Sequence, residues 1–229
     1  MLQIKHNLEQ VRERIASAAV AASRRPEEIT LVAVTKTFPA EAILEGIEAG
    51  ITDIGENRVH EAAEKHGKIG PKARWHLVGH LQSNKAKKAV ELFSLIHSID
   101  SAALAREVGK RARAMGKLQE ALVEVNTSGE AQKFGIEPAK TIEVLREIDG
   151  TPGIQVLGLM TVGPLTEDAG KVRNAFRELR SLFDQAGKMG FATIEMRHLS
   201  MGMSGDFELA IAEGSTMVRI GSAIFGSRA

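Results

Sequence analysis

The sequence contains no cysteine among its 229 residues, and tyrosine is absent as well. Without cysteine the chain forms no disulfide, carries no catalytic thiol and has no cysteine ligand for a metal. Long apolar runs are also lacking, since no segment approaches the roughly 20 apolar residues that a membrane-spanning helix needs. The first residues have no uninterrupted apolar core either, so we do not expect a signal peptide.

Neither sign of charge is in excess. The formal net charge is +1, and 26% of the residues are charged while 43% are hydrophobic. This balance is typical of a soluble globular protein and lacks the basic excess of a nucleic-acid binder. We therefore expect a cytoplasmic protein that has neither a membrane nor a nucleic acid as its partner.

The apolar segments alternate with helical ones along the chain. Residues 3–23 carry apolar side chains at helical spacing, which predicts a leading amphipathic helix. Eight units follow, each a short apolar strand and then a helix. Such alternation implies parallel strands with helical crossovers, and eight units favour a closed (β/α)8 (TIM) barrel as a single domain over residues 1–229. A doubly wound open sheet is the alternative that this pattern leaves open.

A lysine stands at the exit of the first predicted strand, residues 29–35. In a barrel, residues at this end of a strand line the active site, so Lys36 is expected there. An amine held in partly apolar surroundings loses its proton more readily and attacks a carbonyl to form a Schiff base. The carbonyl would belong to an aldolase substrate or to a cofactor aldehyde. Alternatively, Lys36 reaches solvent or pairs with an acid such as Glu56.

Small residues cluster after the last two predicted strands. HLSMGMSGDFEL places glycines and serines before a helix that starts near Gly205, and RIGSAIFG places Gly221 and Ser222 before a helical turn. Small residues let backbone N–H groups approach an anion, and the loops after strands seven and eight are the usual phosphate site of a barrel. The pair of loops therefore predicts a phosphate site, although tight turns would use the same residues.

A Schiff-base lysine and a phosphate site together match pyridoxal 5′-phosphate (PLP). Arg219, on the eighth predicted strand, would then face the pyridine ring. A guanidinium cannot accept a proton, so it would leave the ring nitrogen unprotonated and weaken the cofactor as an electron sink. A salt bridge within the barrel is the other interpretation of Arg219.

The histidine pairs of the sequence argue against a metal site. His60 and His66 are six residues apart and fall on different helix faces, whereas the metalloprotease spacing is four. His76 and His80 are four apart on one predicted strand face, but no carboxylate lies near them in sequence. We therefore expect no metal.

Six segments resemble a single family of proteins. They are VAVTKTFP, GENRVHE, WHLVGHLQSNKAK, VNTSGEAQKFGI, GLMTVG and LSMGMSGDFELAIAEGSTMVRIGSAIFG. From about residue 30 to residue 227 they are similar, in this order, to the YggS/PROSC family of PLP-binding homeostasis proteins. The resemblance implies a barrel like the N-terminal domain of alanine racemase (PLP fold type III), with PLP held as a Schiff base on Lys36.

The resemblance also implies the other residues that contact the cofactor. Arg219 would meet the pyridine nitrogen, and Asn57 and His80 match family positions near the cofactor. The phosphate would be held by Ser200, Met203, Ser204, Gly221 and Ser222.

The family implies a protein that binds, buffers and delivers PLP, and so affects vitamin B6 and amino-acid pools, with no established turnover. Alanine racemases place a tyrosine from a second domain opposite their lysine, and this chain has no tyrosine and no length for that domain. We expect a monomer that passes PLP to apo-enzymes. The alternatives are a weak PLP-dependent racemase, an aldolase that uses Lys36 directly, and a pure interaction protein.

Overall fold

The apolar segments form β-strands, and each strand pairs in parallel with the next one along the chain. The computed structural model describes residues 2–226, and in this range eight strands form one closed sheet. The strands are β1 (Thr30–Val34), β2 (Asp53–Glu56), β3 (Arg74–Leu77), β4 (Leu95–Ile99), β5 (Gln119–Glu124), β6 (Ile154–Met160), β7 (Ile194–Ser200) and β8 (Met217–Ile220).

Helices precede β1 and follow every strand. Over the same residues they are α1 (Leu2–Ala21), α2 (Ala40–Glu48), α3 (Val59–Ile69), α4 (Ala86–Leu92), α5 (Ala102–Ala114), α6 (Thr141–Ile148), α7 (Ala169–Gly187), α8 (Phe207–Ala212) and α9 (Ser222–Phe225). The leading helix ends before its predicted end at residue 23, because the chain turns at Ser23 with a φ of +56°. The predicted domain limits, 1 and 229, lie outside the described residues.

Hydrogen bonding between β1 and β8 closes the barrel. Val32 is in register with Arg219, and Ala33 with Ile220. The closure confirms the predicted barrel and excludes the open sheet, in which the outer strands would have free edges. All strands run in parallel, so their C-terminal ends open at one end of the barrel, which we call the mouth.

A glycine is required where β6 runs against β7. Gly158 has a φ of +147°, and a Cβ at this position would lie 1.9 Å from the carbonyl oxygen of His198. The register of the two strands shifts between Val156 and Gly158. Beyond the shift, Met160 lies opposite Ser200 at the mouth.

Two groups of buried apolar side chains fill the protein. The larger group, which we call the outer layer, lies between the barrel and the helices and includes Phe176, Leu179 and Phe207. The smaller group fills the inside of the barrel, which we call the lumen. Its buried members are Val32, Leu95, Leu122, Leu157, Met160 and Met217.

The leading helix α1 packs on the last two helices of the chain. Its apolar face buries Leu8, Val11 and Ile15. The amide of Asn7 also donates to the carbonyl oxygen of Ile224 in α9 at 2.9 Å. The helix thereby holds α9, and with it the loop after β8, in place.

Candidate functional site

Lys36 lies at the mouth, in the turn that follows β1, and its side chain is partly buried. Thr35, the buried residue before Lys36, makes two hydrogen bonds. Its carbonyl oxygen accepts from Lys65 Nζ at 2.9 Å, and the Thr35 hydroxyl donates to Glu56 Oε1 at 2.7 Å. Thr37 adopts a left-handed φ of +70°, which is uncommon for threonine and is frequent at functional sites. The backbone is therefore constrained on both sides of Lys36.

Glu56, the acid considered as a partner of Lys36, is fully buried. Burial raises its pKa, against hydrogen bonds from Lys65 and Thr35 that lower it. Lys65 Nζ lies 2.7 Å from Glu56 Oε1. This pair ties α3 to the strand end that carries Lys36.

The small-residue loops after β7 and β8 lie beside the end of β1. A Cβ at Gly221 would lie 3.0 Å from the carbonyl oxygen of Val34, so a glycine allows β8 to leave the barrel this close to β1. The N–H of Gly221 donates to Ser204 Oγ at 3.4 Å, near the limit of a hydrogen bond. Ser222 begins α9, and the first N–H groups of a helix have no acceptor within it. Backbone and hydroxyl donors thus gather at one side of the mouth.

A ring contact joins the lysine turn to these loops. The ring of Phe38, two residues after Lys36, lies 5.1 Å from that of Phe225 in α9, centroid to centroid. The predicted Schiff-base and phosphate regions are therefore neighbours.

Arg219 lies in the lumen below these loops and is 4% exposed. Its Nη1 donates to Ser200 Oγ at 2.6 Å and its Nη2 to the carbonyl oxygen of Thr161 at 2.7 Å. Both acceptors are uncharged, unlike those of the salt bridge considered from the sequence. Burial lowers the pKa of Arg219 to about 10, against the attraction of Glu124 and Asp206. The guanidinium therefore remains charged at neutral pH.

Glu124, at the end of β5, was not singled out in the sequence. Its side chain is buried, and its Oε2 has no hydrogen-bond partner among residues 2–226. Burial raises its pKa to about 7, and attraction to Arg219 offsets only part of this shift. A buried oxygen without a partner is unusual in proteins, so the lumen holds an unused hydrogen-bonding position at Glu124.

Sequence reasoning also missed a row of hydrogen bonds that continues from Ser200 through the lumen. His97 Nδ1 lies 3.1 Å from Ser200 Oγ, and His97 Nε2 lies 2.9 Å from His76 Nδ1. His76 Nε2 lies 2.9 Å from Asp53 Oδ1. The available signal was a single histidine within each of two apolar strands, β3 and β4.

Asn57 directly follows β2, and His80 lies in the loop after β3. A Cβ at Gly79 would lie 2.4 Å from the carbonyl oxygen of Asn57, so the two strand ends are in close contact. His80 is exposed and stacks on Phe134, with ring centroids 3.8 Å apart. The Nδ1 atom of His80 lies 3.3 Å from Asp100 Oδ2. A carboxylate thus reaches His80 from a distant part of the sequence.

The expectation that His76 and His80 share one strand face is wrong. The strand β3 ends at Leu77, so His80 belongs to the following loop. His76 is fully buried in the lumen, whereas His80 is exposed at the mouth.

Ser200 and Met203 differ from the other predicted phosphate residues. Ser200 is fully buried beside Arg219. The N–H of Met203 donates to Asp206 Oδ1 at 2.5 Å, and its side chain is partly exposed. Burial raises the pKa of Asp206, although this hydrogen bond opposes the shift. The structure thus places Ser200 with the guanidinium and engages the amide of Met203 with a carboxylate.

Comparison with known proteins places the chain in a family. The model of the alanine racemase N-terminal domain matches residues 2–229. The pyridoxal phosphate homeostasis protein of Aquifex aeolicus is 42% identical over 222 residues, which cover 96% of both chains. That of Escherichia coli K12 is 41% identical over 239 residues, which cover 100% of this chain and 98% of the relative. The chain belongs to the family of pyridoxal phosphate homeostasis proteins.

A solved structure of the family agrees in fold. PipY of Synechococcus elongatus, determined with PLP bound, is 36% identical with a TM-score of 0.85, and the match covers 98% of this chain and 100% of PipY. The predicted family and the racemase-like barrel are thereby confirmed. Within residues 2–226 no helix has the length and apolar character needed to cross a membrane.

Proposed function

We propose that this member of the family binds PLP as a Schiff base on Lys36 and serves in intracellular PLP homeostasis. In this role it buffers the cofactor and delivers it to apo-enzymes, with effects on amino-acid pools. The observation that carries the proposal is the meeting of Lys36, Arg219 and the loops after β7 and β8 at one side of the mouth. The names of the full-length relatives and the PLP-bound structure of PipY support it.

The residues at the mouth take separate roles in this proposal. When bound, PLP supplies an aldehyde that reacts reversibly with amines and a ring that withdraws electrons. Lys36 provides the amine, and Arg219 donates an N–H to the pyridine nitrogen. The phosphate is held by Ser204, Gly221 and Ser222, with Ser200, Met203, Asn57 and His80 as further cofactor-binding residues.

The residues present fit such a cofactor. A phosphate needs several N–H and hydroxyl donors and a backbone that approaches closely. The loops at Ser204, Gly221 and Ser222 supply hydroxyl and N–H donors, and Gly221 keeps this backbone close to the end of β1, because a Cβ there would lie 3.0 Å from the carbonyl oxygen of Val34. Because Arg219 is a donor only, it keeps the ring nitrogen unprotonated and disfavours carbanion chemistry, which suits storage better than catalysis.

We further propose that the protein works as a cytoplasmic monomer whose barrel is its single domain. The absence of tyrosine removes the second base of an alanine racemase. Exposed apolar side chains near the mouth, Phe134 and Leu165, suit brief contact with a client enzyme. These features support a carrier rather than an enzyme.

Absorbance tests the cofactor proposal. The reconstituted protein is expected to show the visible band of a lysine Schiff base, and Lys36→Ala is expected to lose it. Lys65→Arg is the matched control, because it removes the nearby amine while keeping the ion pair with Glu56. A wild-type protein that stays colourless with PLP, or a band that survives in Lys36→Ala, would contradict the proposal.

Transfer tests the carrier role. When the PLP-loaded protein is mixed with an apo-PLP enzyme, activation is expected to outpace the release of PLP to bulk solvent, measured with a scavenger of free PLP. Equal rates would argue against delivery. Turnover of an amino acid at roughly 1–1000 per second would show that the protein is an enzyme.

A further inference from the structure

Five side chains form a continuous row of hydrogen bonds from the mouth to the opposite end of the lumen. Arg219 Nη1 donates to Ser200 Oγ at 2.6 Å, and Ser200 Oγ lies 3.1 Å from His97 Nδ1. His97 Nε2 and His76 Nδ1 are 2.9 Å apart, as are His76 Nε2 and Asp53 Oδ1. Asp53 is the first residue of β2. We call these five residues the lumen relay.

The direction of hydrogen bonding is fixed at both ends of the lumen relay. Arg219 carries N–H groups only and therefore donates. Burial raises the pKa of Asp53, but hydrogen bonds from His76 and Thr52 outweigh this effect and hold the pKa below its usual value. Asp53 is therefore ionised at neutral pH and can only accept.

The hydrogen bonds of the two histidines run in the same direction, from Ser200 toward Asp53. Burial lowers the pKa of His76 and that of His97, so each ring is neutral and carries one N–H. His76 Nε2 donates to Asp53, so His76 Nδ1 accepts from His97 Nε2. His97 Nδ1 must then accept, and the hydroxyl of Ser200 is its donor. Every proton of the lumen relay is thereby assigned.

We propose that His97, His76 and Asp53 are positioning residues that act through Ser200 to hold Arg219 against the pyridine nitrogen of PLP. The inference rests on the proposed function, because that function places the nitrogen beside Arg219. Because the hydroxyl of Ser200 donates its hydrogen bond to His97, the lone pairs of Ser200 Oγ face the guanidinium. Arg219 is then fixed by two oxygens, that of Ser200 and the carbonyl of Thr161.

The surroundings of the lumen relay argue that it is more than packing. His76, His97 and Ser200 are all fully buried in a lumen whose other fillers are mainly apolar. Buried polar groups cost free energy unless every partner is present, and a well-packed apolar filling would be at least as stable. In the lumen relay every partner is present, and the row of hydrogen bonds ends on Arg219. This arrangement indicates that these residues serve the cofactor site.

Nitrogen-15 NMR of the imidazole rings tests the assignment in the protein without PLP. Both His76 and His97 are expected as the neutral tautomer with the proton on Nε2. A proton on Nδ1 of His97, or a charged ring at either position at neutral pH, would overturn the proposal, because Ser200 would then lose its acceptor.

Titration with PLP tests the effect on the cofactor. His97→Leu removes both ring nitrogens at similar size and is expected to raise the PLP dissociation constant about tenfold, because the charge-assisted hydrogen bond from Arg219 to the pyridine nitrogen is no longer held in place. The visible band of the fully loaded variant is expected to shift, since the ring nitrogen loses its fixed donor. His97→Gln, which retains a donor and an acceptor, is expected to lie between His97→Leu and the wild type.

Ser98→Ala is the matched control. Ser98 follows His97 on β4, is fully buried, and has a hydroxyl without a partner among the described residues. Its removal is expected to leave both affinity and spectrum unchanged. If His97→Leu does not fold, Asp53→Asn at the outer end of the lumen relay is expected to weaken binding about threefold and to shift the band in the same direction.

The outcomes separate this inference from the proposed function. Wild-type affinity and spectrum in the folded variants would overturn the positioning role, and so would weaker binding with an unchanged spectrum at full loading. A wild-type protein that takes up no PLP would contradict the proposed function, while the tautomers measured without PLP would still report on the lumen relay.

Discussion

The lumen and the outer layer are both buried, but they are filled with different chemistry. The outer layer contains aliphatic and aromatic side chains such as Leu179 and Phe176, both fully buried. The lumen contains apolar residues too, yet it also buries Arg219, Glu124 and His97. Because buried polar groups cost free energy unless they are paired, the unpaired Oε2 of Glu124 imposes a cost on the lumen that the apolar contacts of the outer layer do not.

The two regions determine different properties of the protein. In the outer layer, shape and volume decide the free energy of unfolding. In the lumen, hydrogen-bond direction and charge decide how a ligand is received at the mouth. Substitutions in the two regions should therefore separate loss of stability from loss of PLP binding.

Leu179→Ala tests the outer layer and should have the largest effect on stability. Removal of this buried side chain of α7 is expected to lower the free energy of unfolding by about 2–5 kcal/mol. Urea denaturation measures this change. The PLP dissociation constant of the folded variant is expected to match that of the wild type. A clear rise would show that the outer layer also determines PLP binding.

Glu124→Gln tests how much the burial of a charged carboxylate in the lumen lowers the free energy of unfolding. The pKa of Glu124 is raised from 4.5 to about 7, so the folded protein binds this proton more tightly than the unfolded chain, and wild-type stability falls as the pH rises through this window. The variant lacks this titration. It is expected to gain about 1–3 kcal/mol relative to the wild type between about pH 5 and about pH 8.

Urea denaturation at several pH values measures that gain. Glu137→Gln, at an exposed acid, is the control and should leave the wild-type pH profile nearly unchanged. A stability difference between Glu124→Gln and the wild type that does not depend on pH would contradict the assignment of the cost to the carboxylate of Glu124.

Gly221→Ala tests the close approach of β8 to β1. The new Cβ would lie 3.0 Å from the carbonyl oxygen of Val34, so the strand ends are expected to shift apart slightly and to displace the loop donors. The PLP dissociation constant is expected to rise about tenfold, or about 1.4 kcal/mol. Unchanged affinity, measured by titration of the visible band, would show that this loop does not hold the phosphate.

Gly67→Ala makes the same chemical change far from the lumen and should have the smallest effect. Gly67 is exposed in α3, and a Cβ there would meet nothing within 4 Å. Alanine is expected to stabilise the helix by about 0.5–1 kcal/mol and to leave PLP binding unchanged. Thermal unfolding measures the first effect, and a loss of stability would contradict it.

Local patterns were enough to predict the barrel and one side of its mouth. The alternation of strands and helices predicted eight parallel strands. Lys36 and Gly221 were placed at strand ends on separate grounds, and closure of the barrel makes β1 and β8 neighbours. The donors of the loop after β8 were predictable because Gly221 and Ser222 are adjacent in sequence.

The lumen relay could not be predicted in the same way, because its contacts join distant parts of the chain. His97 and Ser200 are 103 residues apart in sequence. Their contact depends on strand tilt and on the register shifts of β4 through β7. The carboxylates beside His76 and His80 also come from other parts of the chain, Asp53 from β2 and Asp100 from the loop after β4, and left no local signal.

Locating the bound cofactor on the chain tests the proposed function most directly. The protein is loaded with PLP and reduced with borohydride, which converts a Schiff base into a stable secondary amine, and its peptides are mapped by mass spectrometry. The proposed function predicts one modified lysine, Lys36. Modification at Lys65 or another lysine, or no modified peptide at all, would contradict it.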